Sequence, residues 1–501
     1  MRLTDSYPPD CKLPKFDVEA MIEKTEANPT WLQIGAGNIF RIFVASMQQN
    51  LLDNGHTDTG IITYEGYDDE IITKAFAPHD NLTLGVTLNA DGKLDKQLIA
   101  SIADAFTNDA GKLRGIIAKP SLQLISTIIT EKGYTVADIC TGPDNAATTL
   151  EQVVAGLFSR FQAKGKPLAL VTMDNFAENG TKLAQAVETI AKAWVDAGSA
   201  PGDFIDYVNS MAYPWTMIDK ITPRPSPDVA DILAREGYER PKILETTKHT
   251  FVSSFVNAES AEYLIIEDNF PNGRPPLEKA GAYMCDRETV RKMDQMKVCA
   301  CLNPLHTILA VSGMLLKYPT ISECMKDERL VKLLKQAAEE ALPVVEDPGI
   351  IDPREFLNTV LTERFPNPFI PDAPERIACD TSQKVPVRFG VHLKERKHRG
   401  MDIKNLEAMP LFAALWLRYL MGKTDCGNPM KISPDPRKPA VFEALNGLNF
   451  GEKIDLKPIL SHEETFGVNL YEVGLGEKIE EIFAEISAEA GAVSKKLDKK
   501  H

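Results

Sequence analysis

A short apolar run, Trp31-Leu-Gln-Ile34, stops abruptly at Gly35-Ala-Gly37, after which apolar residues recur at Ile39, Phe40, Phe43, Val44, Met47 and Leu51. The run has the length of a strand, and the recurrence is that of one helix face. A second strand-like stretch, Gly60-Ile-Ile-Thr-Tyr64, closes at Glu65-Gly66. Strand, glycine turn, helix and strand in this order open a parallel, doubly wound sheet, because parallel neighbours need a crossover between them.

The alternation continues to about residue 200: residues 122–129 and 168–173 read as strands, 145–162 and 187–195 as helices. The segment 213–227 is too proline-dense to be regular throughout. Residues 264–267 look like one more strand. After about residue 285 the texture changes, with helical spacing over 298–316, 330–342, 355–364 and 411–421. A chain of 501 residues exceeds one ordinary core. The expectation is an α/β, Rossmann-like doubly wound domain over 1–285 and a mostly α-helical domain over 286–501. The tail, 476–501, reads as an amphipathic helix fading into a solvated, Lys-rich end.

The formal charge of −15 lacks the basic footprint of a nucleic-acid binder. Eight scattered cysteines read as reduced thiols, and Cys299-x-Cys301 is too tight for a zinc knuckle, so no metal is expected. The N-terminus has no signal-peptide core, and no run of about eighteen apolar residues is apparent. These features point to a cytoplasmic setting without a membrane span. Monomer and homodimer are both compatible.

The glycine turn lacks the third glycine of the full dinucleotide fingerprint, but its context between strand and helix is that of a pyrophosphate site. Residues Gly35, Ala36, Gly37, Asn38, Ile39, Phe40 and Arg41 are therefore assigned to the cofactor. Glu65 is placed to accept hydrogen bonds from the adenosine ribose, which favours NAD over NADP; Asp68 is the alternative. Further on, Lys297-Val-Cys-Ala-Cys-Leu-Asn303-Pro-Leu-His306 opens an otherwise apolar helix. Asn303 and His306 share one helix face. Read alone, they fit a capping Asn and a satisfied core histidine as well as a cleft.

Several segments, in chain order, resemble the polyol-specific long-chain dehydrogenases, the family of mannitol dehydrogenase and of the fructuronate and tagaturonate reductases. They are Gly35-Ala-Gly37 with Arg41; Thr130-Glu-Lys-Gly-Tyr134; Asp174-Asn175 with Asn179-Gly180; Met217-Ile-Asp219-Lys-Ile-Thr-Pro223; Ile266-Glu-Asp-Asn-Phe270 with Gly273-Arg-Pro275; Asn303-x-x-His306; and Arg376 with Lys384. The resemblance implies metal-free, NAD-dependent hydride transfer between nicotinamide and a hexuronate or polyol, with Lys297 as general base. It further implies Asn175 and Asn303 as donors to the reacting oxygen, His306 as a substrate-positioning group, and Asp219, Arg376 and Lys384 along the polyol chain. Fructuronate/mannonate or tagaturonate/altronate is favoured over fructose/mannitol. An inactive dinucleotide sensor would have lost the base, which is present here. One departure stands out: the family lysine lies five residues before the asparagine, whereas Lys297 lies six before Asn303. A one-residue π-bulge near residues 299–301 would absorb the difference. Lys292 is the fallback base, though about 16 Å of helix would separate it from Asn303.

Overall fold

The computed structural model describes residues 7–239 and 241–499. The start of the N-terminal segment and the last two residues of the tail lie outside the described residues. The chain divides into two compact units, the first reaching Arg291 and the second beginning at Lys292.

In the first unit, strands β1 (Trp31–Ile34), β2 (Ile61–Glu65), β3 (Thr83–Leu88), β4 (Leu94–Ile99), β5 (Ile102–Thr107), β6 (Leu124–Thr127) and β7 (Ala169–Thr172) follow one another. Five of them form one sheet in the order β5-β2-β1-β6-β7, every neighbouring pair parallel. Strand β1 is central, with Trp31 registered against both Ile61 and Leu124. The chain winds one way from β1 to β5 and the other way from β6 to β7, so a crevice opens beyond the carboxyl ends of β1 and β6. Strands β1, β2, β6 and β7 are buried along their whole length, as expected when both sheet faces are covered. Period-two alternation sends Trp31 to a core with Phe43 and Met47, and Leu32 and Ile34 to the opposite core with Leu157, Val187 and Trp194.

The rest of this unit matches the sequence expectation in the strand at 264–267 and otherwise departs from it. Strands β8 (Thr216–Asp219), β9 (Leu244–Glu245), β10 (Phe251–Val252), β11 (Phe255–Glu259), β12 (Tyr263–Glu267) and β13 (Tyr283–Cys285) build two further sheets, β11-β3-β4 and β13-β12-β8, and a β9–β10 pair. Strand β8 fits inside the proline-dense segment because Met217, Ile218 and Asp219 fall between Pro214 and Pro223.

The second unit is helical. The helix Ala408–Tyr419 is buried on every side and packs against Asn303–Leu316, Glu328–Ala341 and Gly476–Ile486, so it serves as the core of this unit. Glu340 caps its start, accepting from the N–H groups of Glu407 at 2.7 Å, Ala408 at 2.9 Å and Met409 at 3.2 Å. A carboxylate is well placed at that positive end. Two expectations are corrected here. The tail is not a fraying end: Ala492–Lys499 is a second helix with Val493 and Leu497 buried, and Asp425 accepts from Val493 N at 2.9 Å and Ser494 N at 3.1 Å. The run Arg287–Leu316 is also long and apolar enough to cross a membrane by length and composition, yet most of its apolar window is buried within the protein. A core helix passes the same test, and polar Lys297, Asn303 and His306 within the run disguised its length in the sequence.

Candidate active site

A cavity of ≈ 640 Å³ opens in the first unit, lined by Gly35, Gly37, Glu65, Asp68, Ile128 and Thr148 among its residues. Gly35 adopts φ +92°, and a Cβ there would meet the Ile128 carbonyl oxygen at 2.1 Å. Its lack of a side chain therefore serves the packing of the loops after β1 and β6. Gly37 differs: nothing lies within 4 Å of where its Cβ would stand. That open space in the cavity wall leaves room for a pyrophosphate to approach the backbone, and the first turn of a helix offers N–H groups with no intrahelical partner. Buried Gln33 braces the turn from below, donating to the carbonyls of Ile34 at 2.7 Å and Gly35 at 3.1 Å while accepting from the Ser126 hydroxyl at 2.5 Å.

The two acids at the end of β2 are not equivalent. Glu65 Oε2 accepts from Ala36 N at 2.8 Å, and Oε1 from Tyr67 N at 2.9 Å and Asp68 N at 3.1 Å. It thus ties the end of β2 to the glycine turn. Asp68 accepts from the Thr246 hydroxyl at 2.7 Å through Oδ2, while its buried Oδ1 has no hydrogen-bond partner. An unanswered buried acceptor is costly, and this one belongs to a cavity-lining residue.

The residues 35–41 divide by side. Gly35 and Gly37 line the cavity, Ala36 donates to Glu65, and Asn38 Nδ2 lies 3.5 Å from the Phe251 carbonyl. Ile39 is packed against the core at its edge, and Phe40 is inside it. Arg41 is fully buried and donates from Nε to Thr83 Oγ1 at 3.1 Å and from Nη2 to the Ser253 carbonyl at 2.9 Å. Its guanidinium lies 5.1 Å from the Phe76 ring centroid, and burial pulls its pKa down to about 10. Arg41 is therefore a strut from the π-helical turn Phe40–Val44 to β3 and the approach to β11. The sequence grouping placed it at the cofactor because only neighbourhood along the chain was visible.

Other motif residues of this unit converge on Asp174. Its Oδ2 accepts from Tyr134 Oη at 2.5 Å and Ile129 N at 2.9 Å, and its Oδ1 from Thr130 N at 3.0 Å. Burial raises the Asp174 pKa, and burial together with that carboxylate raises the Tyr134 phenol well above its usual value. This clamp joins the loops after β6 and β7 and fixes the backbone on which exposed Asn175 stands. Asn179 adds a second tie, donating to Thr216 O at 3.0 Å and accepting from Thr216 N at 3.0 Å. Asp219, at the end of β8, is buried.

In the second unit, the bulge inferred from spacing is present as a π-helical turn over Lys297–Cys301, followed by a break at Leu302 and the helix Asn303–Leu316. Lys297 is 2% exposed. Asp294 lies one turn before it, its pKa raised by burial and drawn back by the Lys297 charge. Cys299 is occupied structurally, its Sγ donating to the Val387 carbonyl at 3.2 Å. His306 Nε2 lies 3.3 Å from Asp372 Oδ2, and burial lowers its pKa. The same Asp372 pairs with Arg376. Lys384 donates to the Ile377 carbonyl at 2.7 Å, and burial, aided by Arg388, pulls its pKa to about 8. Asp372 and Arg388 went unrecognised in the sequence. The signal was there, since charged residues recur every four positions at Asp372, Arg376, Asp380, Lys384 and Arg388. Among the described residues, no group of three or more His, Cys, Asp or Glu side chains could hold a metal ion.

Comparison with known proteins gives a consistent picture over nearly the whole chain. Residues 29–279 match a mannitol dehydrogenase Rossmann domain and residues 289–487 a mannitol dehydrogenase C-terminal domain. The chain is 47% identical to a D-mannonate oxidoreductase of Thermotoga maritima, covering 97% of this chain and 95% of that protein. It is 28% identical to a mannitol 2-dehydrogenase of Cereibacter sphaeroides, covering 83% and 84%. Among solved structures, a substrate-free D-sorbitol dehydrogenase superposes with a TM-score of 0.79 at 22% identity, over 97% of this chain and 98% of that one. Mannitol 2-dehydrogenase of Pseudomonas fluorescens gives 0.72 at 23% identity, over 99% and 98%.

Proposed function

Since the chain belongs to the mannitol dehydrogenase family, we propose that this NAD-dependent oxidoreductase acts on D-mannonate, oxidising it to the 5-keto acid D-fructuronate and catalysing the reverse reduction. The observation that carries the choice of substrate is the near-full-length, 47% identity to a D-mannonate oxidoreductase. NAD is the hydride acceptor. Gly37 and the N–H groups of the following turn would hold its pyrophosphate, and the free Oδ1 of Asp68 would accept from the adenosine ribose, leaving Glu65 to hold the turn. Both acids disfavour a 2′-phosphate, which supports NAD over NADP.

The protein's part in the reaction is the proton and the developing negative charge. Lys297 takes the C5 hydroxyl proton on its Nζ as the alcohol is oxidised and returns it in the reverse direction. Its burial and the π-turn that absorbs the extra residue before Asn303 support this role. Asn175 and Asn303 stabilise the partial negative charge on the reacting oxygen. His306, whose buried Nε2 has no hydrogen-bond partner among the described residues, together with Asp219, Arg376 and Lys384, positions the remaining hydroxyls. The test is NAD⁺ reduction with D-mannonate, D-altronate and D-mannitol. We expect kcat/KM to be highest for D-mannonate, by about tenfold or more over the polyol, a gap of about 1.4 kcal/mol. A preference for D-mannitol would return the enzyme to the polyol reading.

A further inference from the structure

Within the second unit, the partly buried Arg388 has no carboxylate partner among the described residues. Arg388 Nη1 donates to the Asn303 carbonyl oxygen at 3.1 Å and to Thr307 Oγ1 at 2.5 Å. These contacts leave Nε and Nη2 without a partner among the described residues. Burial pulls the Arg388 pKa down to about 10, which marks a charge held at a cost. Other arginines of this chain resolve the same problem differently. Arg376 is paired with Asp372 and its side chain is 66% exposed. Arg160 donates to the carbonyls of Lys166 at 2.7 Å, Ile117 at 2.9 Å and Lys119 at 2.7 Å. Arg418 donates to those of Lys423 at 2.8 Å and Thr424 at 2.9 Å. Arg388 is anchored at one nitrogen, as Arg376 is, but no carboxylate pairs with it among the described residues. Lys384, close enough for the two charges to repel, adds a second cation beside it.

We propose that Arg388 reads the substrate carboxylate, so that this residue, rather than Arg376, selects a sugar acid over a neutral polyol. The assignment rests on the D-mannonate reading above. The carboxylate at C1 of that substrate lies four carbon–carbon bonds from the reacting C5, about 5 Å when extended. Arg388 is bonded to the backbone of Asn303, whose side chain is assigned to the reacting oxygen, so the guanidinium and that assigned donor share one helix start. A planar fork with two open donor nitrogens matches a carboxylate, and a hydroxymethyl group would leave it unanswered.

The test is calorimetric titration of the enzyme–NADH complex with D-mannonate and with D-mannitol, in the wild type, Arg388→Met and Arg388→Lys. In Arg388→Met, D-mannonate affinity should fall at least about tenfold further than D-mannitol affinity, and Arg388→Lys should recover part of the difference. The ratio of the two affinities guards against a general loss of structure, which would weaken both ligands alike. A wild type that binds D-mannonate, together with equal losses for both ligands in Arg388→Met, overturns this assignment and leaves the substrate reading standing. A wild-type complex that ignores D-mannonate overturns the substrate reading and this assignment with it.

Discussion

Glu65, the last residue of β2, and Asp68, in the turn after it, are both buried and differ in what remains of their acceptor capacity. Glu65 receives three backbone N–H groups, whereas Asp68 keeps one oxygen unanswered. Asp68→Ala should therefore raise the Kd for NADH by about ten- to a hundredfold, the equivalent of about 1–3 kcal/mol for a buried hydrogen bond to charge, as read by NADH fluorescence titration. Glu65→Gln should instead lower the melting temperature, because a neutral amide oxygen holds the turn less strongly. An unchanged NADH affinity in Asp68→Ala removes that residue from the ribose site. Lys384 gives a pH signature of its own. With its pKa pulled to about 8, it is cationic below that value and neutral above it. The KM for D-mannonate, taken as a ratio to that for D-mannitol, should rise as pH climbs through about 8, and Lys384→Met should flatten the ratio across that window. Taking the ratio cancels the opposing effect of a catalytic base losing its proton, which acts on both substrates.

Elements differ in how far they can be read from residues alone. Strands β1 and β2, the glycine turn and the helix after it were legible because each carries a local signature: apolar runs, two glycines, helical spacing. Strands β3, β4 and β11 were not. Leu94–Ile99 reads LDKQLI with only part of it buried, and β11 pairs in parallel with β3 across a long span of chain, Phe255 against Leu84; no local pattern encodes such a partner. The π-turn at Lys297–Cys301 was inferable only by counting against the family spacing, since its residues are compatible with an α-helix. Its bond is the long one, from Leu302 N to the Lys297 carbonyl at 3.3 Å. If the turn merely accommodates one extra residue, deleting Val298 should restore an α-helix with the lysine five positions before the asparagine. We expect that variant to keep at least about a tenth of wild-type kcat, a loss of no more than about 1.4 kcal/mol. Lys297→Ala should lose about a thousandfold or more, of the order a general base contributes. A folded, NADH-binding Val298 deletion with no turnover would show that the π geometry itself is needed.

At the scale of the molecule, a net charge of −15 works against binding an anionic cofactor and the sugar acid proposed as substrate. The answer is local and divided between the units. The cavity assigned to the dinucleotide is lined by first-unit residues alone, among them Gly35 and Gly37, proposed to face its phosphates. The cations assigned to the substrate, Arg376, Lys384 and Arg388, all belong to the second unit. The change of texture near residue 285 made this partition legible in outline. Which arginine carries an unanswered charge was not legible, because that depends on carbonyl and carboxylate neighbours brought together only by folding. The partition has a consequence that hydrogen exchange can read peptide by peptide. NADH alone should slow exchange around residues 35–37, 65–68 and 128–130, where its contacts hold loops that otherwise open locally. Adding D-mannonate to the NADH complex should extend protection to residues 372–388. NADH that protected both stretches equally by itself would show that the second unit is ordered by cofactor rather than by substrate, and would move the selection of the sugar acid away from the cations on that stretch.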